Sequence, residues 1–195
     1  LKFDFTISCN EVKYGVPAVC YSVYKRAGPT HIPTGTLNAT LKFNVIDADP
    51  QTHEPEDETD EGYEDEYELE DVEVEIRDYM IKVYCPNFQE QWESAGDEHE
   101  AKEVFNLAKC DNLQGAVKTL IKGLGMEACD KSDRVGAKKS KHAMFASGVF
   151  LGGVPTLARC RMKKQEGGKG VDVELCVRSG HKLVSDTIVE CLTEA

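Results

Sequence analysis

The chain opens on a period-two alternation. Leu1, Phe3, Phe5, Ile7 and Cys9 are separated by Lys2, Asp4, Thr6 and Ser8, which predicts a half-buried strand over residues 1–9. A short strand is expected from Val19 to Tyr24, after the turn-like Gly15 to Pro17. Gly28-Pro29 and Ile32-Pro33 punctuate a loop, and Thr36 to Ile46 then alternates again through Leu37, Ala39, Leu41, Phe43 and Val45. Strands without a helix can share one hydrophobic face, but so few cannot close a sandwich.

From Tyr67 the pattern becomes mixed. Val72, Val74 and Ile76 read as a strand that continues irregularly through Met80, Ile81 and Val83. Pro86 and Asn87 open a short helix, which Gly96 closes, and on it Phe88 and Trp92 are four apart and share a face. Ala101 to Leu107 is a strand. Asp111 and Gln114 have the spacing of a capping box, and Leu113, Ala116, Val117, Leu120, Ile121 and Leu124 keep helical spacing up to Gly125. Beyond the basic loop Lys131 to Lys141, His142 to Phe150 is apolar on both faces and suits a central strand. Gly152-Gly153 and the segment Glu166 to Gly170 then turn the chain through strands at Thr156 to Met162 and Val171 to Arg178. Val184, Ile188, Val189 and Leu192 mark a closing amphipathic helix over Leu183 to Leu192. Hairpins instead of repeated crossovers imply an α+β fold, a mostly antiparallel sheet packed with helices.

Charge changes this picture at one place. The formal net charge is -12, yet residues 47–71 hold fourteen Asp/Glu and no Lys/Arg, leaving 23 basic against 21 acidic residues elsewhere. The acidity is local, reads as a solvated connection, and argues against nucleic acid as a partner of that segment. Within it Asp57, Thr59, Glu61, Gly62, Asp65 and Glu68 fit the template of a calcium loop, although Thr59 is a poor ligand and Pro55 spoils the incoming helix. The eight cysteines are irregularly spaced within apolar segments, which points to free thiols and a cytosolic home. No apolar run approaches the ~20 residues of a membrane helix, and no signal peptide opens the chain. The tripeptide Asn38-Ala39-Thr40 is a glycosylation sequon of the kind that arises by chance.

Catalytic and cofactor motifs are near misses. Gly123, Gly125 and Ala128 spell a dinucleotide fingerprint at the wrong end of a helix, and Gly167-Gly168-Lys169 lacks the spacing of a phosphate loop. The five histidines are scattered, and neither they nor the cysteines have zinc spacing. No enzyme activity, metal or cofactor is expected. What stands out is the single tryptophan together with Arg159 and Arg161, two apart on one strand, and Arg178 on the next. Guanidinium groups beside an aromatic surface suit peptides that combine acidic and aromatic side chains. The bland reading is a core tryptophan and a solvated arginine face.

At these residues the chain resembles a known family. Glu61 to Val83 (EGYEDEYELEDVEVEIRDYMIKV) and Asn87 to Glu100 (NFQEQWESAGDEHE) are similar to the C-terminal appendage of the coatomer gamma subunit, of the COPI vesicle coat. So are Thr119 to Val135, Gly148 to Gly153, Leu157 to Met162, and upstream Gly15 to Tyr24 and Leu41 to Glu54. The resemblance implies three parts: a partial immunoglobulin-like β-sandwich at 1–46, an acidic connection at 47–66 and an α+β platform at 67–195. It implies a non-enzymatic, cytoplasmic scaffold, peripheral on Golgi membranes and COPI vesicles and without membrane insertion. Its implied partners are an Arf GTPase-activating protein, other coat regulators and other coatomer subunits, not nucleic acid. The implied protein-binding site centres on Trp92, as a partly exposed anchor, with Phe88, Arg159 and Arg178; Arg161 joins it from the strand pattern. Where relatives have an arginine before the paired glycines, this chain has Leu151. The alternative is a structural module that holds coat subunits together without a peptide-capture site.

Overall fold

A computed structural model describes residues 12–13, 15–19, 21, 32–52, 54, 61–136, 138–165 and 170–193. The strand expected at 1–9 and most of that at 19–24 lie outside these residues. The chain divides into two compact units, Leu1–Pro29 with Pro33–Val74, and Thr30–Ile32 with Glu75–Ala195.

In the first unit the described residues form two antiparallel ribbons. β1 (Gly35–Leu37) pairs with β4 (Val72–Val74), and β2 (Thr40–Val45) pairs with β3 (Tyr63–Glu68). The single strand expected from Thr36 to Ile46 is therefore two. Asn38 and Ala39 lie between them, with Asn38 Nδ2 donating to Asp71 Oδ1 at 2.6 Å and the Leu69 amide to the Ala39 carbonyl at 2.9 Å.

The acidic run is not all loop. Its second half is β3, where Tyr63, Asp65 and Tyr67 share a face with Leu41, Phe43 and Val45, while Glu64, Glu66 and Glu68 point the other way. Every residue of β3 is exposed, so water solvates the carboxylates, and Lys42 Nζ meets Glu66 at 3.2 Å. Gly62 has a φ of 70°, and a Cβ there would lie 2.3 Å from the Val45 carbonyl oxygen. Its glycine thus serves the turn into β3. The calcium template fails here, because Asp65 and Glu68 are three apart on a strand and face opposite ways. Asp57 and Thr59 lie outside the described residues, among which no metal-binding cluster occurs.

The second unit is built on a six-stranded antiparallel sheet in the order β5-β8-β9-β10-β6, with β7 also on β8. The strands are β5 (Met80–Lys82), β6 (Ala101–Leu107), β7 (Glu127–Ala128), β8 (Lys141–Phe150), β9 (Val154–Lys164) and β10 (Val171–Ser179). A 3-10 turn, Ile76–Tyr79, interrupts the irregular strand expected after Val74. Helices α1 (Phe88–Ser94), α2 (Leu113–Leu124) and α3 (Lys182–Thr193) complete it, so the order read from the alternation is the order present, with β7 added.

α2 begins differently from expectation. Its cap is Asn112, whose side chain accepts from the Gly115 amide at 2.8 Å, while Gln114 donates to the Asp133 carbonyl and accepts from the Val135 amide. Gln114 thereby holds the basic loop instead of closing a capping box. Gly125, at φ 64°, ends the helix in the left-handed conformation that favours glycine.

The core lies on one face of this sheet. Met144, Ala146, Ala158, Cys160, Met162, Val171, Val173, Leu175 and Val177 meet Leu113, Val117, Leu120 and Leu124 of α2 and Val184, Ile188 and Val189 of α3. The six described cysteines are free thiols, and burial pushes the Cys160 thiol up to about 12. No helix among the described residues is long and apolar enough to cross a membrane.

Candidate protein-binding site

The opposite face of the sheet is set by register. Phe145, Arg159, Cys176 and Lys102 form one cross-strand row, with Ser147, Leu157 and Arg178 in the row beside it. Helix α1 lies over these two rows. Phe88 and Trp92, one turn apart, pack with Cys129 and Cys176 into a second buried cluster, against which Cys85, Phe145 and Leu157 are packed. The Phe88 ring stacks on Trp92 at 5.6 Å and on Phe145 at 4.9 Å between centroids.

Trp92 is not a partly exposed anchor: it is 3% exposed, and Phe88 is 1% exposed. The cause is a pair of arginines. The Arg159 and Arg178 guanidinium carbons lie 4.6 and 4.4 Å from the centroid of the indole ring. Each contact contributes about 0.5–2 kcal/mol depending on desolvation, and together they exclude water from the ring.

The two cations differ in what they have left to give. Arg178 Nε donates to Glu100 Oε2 at 2.6 Å, and its Nη1 donates to the Trp92 carbonyl at 2.7 Å. That carbonyl belongs to the last turn of α1, so Arg178 also caps the helix where a cation is favoured. Burial raises the Glu100 carboxyl, but hydrogen bonds from Arg178 and Cys176 and the charges of Arg178 and Arg159 outweigh it and hold the group below its ordinary value. Burial first, then the hydrogen bond to Glu100, push the Cys176 thiol up to about 11. Arg159, by contrast, makes no ion pair among the described residues, and its buried Nε has no hydrogen-bond partner. It is a cation held over an aromatic ring with donor capacity to spare.

Arg161 is elsewhere. It shares a strand face with Arg159, but its Nη1 meets Glu174 Oε1 at 3.2 Å, one row further from α1. Glu174 also takes Lys102 at 2.8 Å. Leu151 is exposed on the β8–β9 turn, its amide donating to the Tyr79 carbonyl at 2.8 Å, and it takes no part in the aromatic cluster. Glu100, Phe145 and Cys176 complete the arrangement and were not foreseen. Cys176 was within reach, two residues before Arg178 on the same strand, whereas the Glu100 contact spans 78 residues with no local signal.

Residues 77–192 match the family model of the coatomer subunit gamma-1 C-terminal appendage platform, and residues 1–75 match that of the coatomer gamma subunit appendage platform subdomain. Among curated relatives, coatomer subunit gamma-2 of Takifugu rubripes is 41% identical over 186 residues, covering 94% of this chain and 20% of that protein. Coatomer subunit gamma-2 of Homo sapiens is 37% identical and coatomer subunit gamma-1 of Mus musculus 38% identical, each over 186 residues and the same shares of both chains. The chain thus spans about a fifth of the length of the relatives it matches.

Proposed function

The chain belongs to the coatomer gamma-subunit appendage family, and on that premise we propose that it is a protein-interaction appendage of the COPI vesicle coat. The family is one of coat components and not of enzymes. The appendage recruits coat regulators, among them an Arf GTPase-activating protein, through the Trp92 surface. It acts in the cytoplasm, peripherally on Golgi membranes and COPI vesicles, alongside other coatomer subunits. Its first unit is the end of an immunoglobulin-like β-sandwich and its second the platform.

The observation that carries this reading is Arg159. Arg159 is half-buried over Trp92 and makes no ion pair among the described residues, so its exposed part keeps its charge for a partner's carboxylate. Arg178 is occupied by Glu100 and by helix α1, so it and Trp92 hold Arg159 in place instead of meeting the partner themselves. An acidic side chain on Arg159, with an apolar neighbour against the half-buried Phe145 and Leu157, is the interaction this geometry favours.

The test is calorimetric titration of a purified Arf GTPase-activating protein against the protein and its Arg159→Gln variant. Loss of a charge-assisted hydrogen bond should weaken binding by about 1.5–3 kcal/mol. Equal affinities remove Arg159, and the site with it. A second reading, a module that holds coat subunits together, is favoured by the apolar face of the β2–β3 ribbon, where Leu41, Phe43, Tyr63 and Tyr67 are exposed. Deleting residues 51–65 discriminates the two: coat assembly lost with regulator binding intact supports the structural module.

A further inference from the structure

Beyond the row that holds Arg159, the same sheet face continues uncovered. The next row is Ala143, Arg161, Glu174 and Val104, and the one after it Lys141, Lys163, Asp172 and Asn106. Together with the turn Asp130–Ser132 and Lys139, these rows, Asn106 excepted, line a groove of about 740 Å³ that reaches Phe145. Its floor is apolar, with Val104 61% exposed.

Three features mark this groove. First, Lys141 and Lys163 are direct cross-strand neighbours, and like charges in that position repel. Second, two of the groove's three carboxylates are engaged, Glu174 with Lys102 and Arg161, and Asp172 Oδ1 with Asn106 Nδ2 and Gln165 Nε2, each at 2.8 Å, and the third, Asp130, makes no ion pair with these lysines among the described residues. Lys131, Lys139, Lys141 and Lys163 therefore make no ion pair among the described residues. Third, Asp130 and Lys131 are consecutive non-glycine residues at φ 53° and 55°, a strained conformation that persists only where its surroundings impose it. Ser132 imposes it here. Its Oγ donates to the Cys129 carbonyl at 2.6 Å and takes the Phe145 amide at 2.9 Å, fixing the turn beside β8.

We propose that this lysine-rimmed groove is a second docking surface, which takes an extended acidic segment of a partner protein with one apolar side chain seated on Val104. Unpaired positive charge along the rim selects acidic residues and steers their approach. The exposed Val104 between them selects a peptide with an apolar residue over a purely polyanionic ligand. The groove borders the Trp92 site at Phe145, but its charge comes from four lysines, whereas the cations over the indole are Arg159 and Arg178.

The probe is a fluorescein-labelled synthetic peptide of glutamates flanking a single leucine, followed by anisotropy at low and high salt. Lys141→Glu should weaken its binding roughly tenfold at low salt, an effect that fades as salt screens the charges. The same substitution replaces a cross-strand repulsion by an attraction to Lys163, so the thermal midpoint should hold or rise. Lys131→Gln, outside the sheet, repeats the test where a strand substitution disturbs folding. Val104→Asp should remove the advantage of the leucine peptide over one of glutamates alone. Arg159→Gln, which keeps all four lysines, should weaken this peptide far less than Lys141→Glu does, which separates the groove from the Trp92 site. Affinity unaltered by both lysine substitutions overturns the proposal, as does binding of phosphoinositide-containing vesicles with none of the peptide.

Discussion

On β9, Ala158, Cys160 and Met162 point to one side of the sheet, and Leu157, Arg159, Arg161 and Lys163 point to the other. The first side is covered by two helices of twelve residues and is mostly apolar. The second is covered by one helix of seven. At 1.5 Å per residue α1 is about 10 Å long, whereas five strands about 4.8 Å apart present roughly 20 Å of width. Half of that face is therefore left to arginine, lysine and water. The difference teaches how one alternation can write a core and a recognition surface on the same strands: the side chains the helices cannot reach are free to be charged.

The comparison breaks first at Trp92, where the outer face behaves as core. Trp92→Ala deletes a buried ring that touches Phe88, Arg159 and Arg178. It should destabilise the second unit by about 3–5 kcal/mol in urea unfolding, as a large inner-face truncation would. A loss below about 1 kcal/mol would mean that the indole sits loosely on the sheet and that α1 is an addition to the fold. Because stability and binding change together in this variant, Arg159→Gln is the cleaner probe of recognition.

The inner face should yield smaller losses at its edges than Trp92 does at the centre of the outer one. Asn112→Ala removes the side-chain acceptor of the Gly115 amide and should cost about 1 kcal/mol. The thermal midpoint should fall without change in regulator binding, since α2 lies on the side of the sheet away from Trp92. Weakened binding in this variant would show that the faces are coupled through the strands.

How far these faces can be read from the sequence follows from the same geometry. The strands and helices from Ala101 onward are legible because alternation and 3.6-residue spacing are local. The pairing of Arg159 with Arg178 over one ring is half legible, since both lie on the strand phase opposite the core. Arg161 shares that phase and still misses the indole, because register opposes it to Glu174, and register is a property of two strands. The burial of Trp92 was illegible for a related reason: an aromatic on a short helix becomes core or anchor according to what arrives from elsewhere, and Arg178 arrives from 86 residues away. The β3 strand was hidden by its composition. Alternating tyrosines carry its pattern, and the surrounding acid count reads as disorder.

The smallest effect is also the most local, because the chain's single tryptophan reports on its own arginines. Glu100 is held ionised by Arg178, with its carboxyl below the ordinary 4.5. Its contribution is therefore complete above that value and is lost as pH falls through the lower folded value, when the folded state must take up a proton that the unfolded state already holds. A half-buried pair of this kind contributes about 1 kcal/mol or less. The loss should nevertheless be visible, since protonated Glu100 no longer fixes Arg178 over the indole and beneath the last turn of α1. Trp92 emission should change as pH drops below 4.5, before global unfolding, and Glu100→Gln should show the altered emission already at neutral pH with no further change in that window. An acid response that survives Glu100→Gln would belong to another carboxylate, and the ion pair would then not be what keeps Arg178 on the ring.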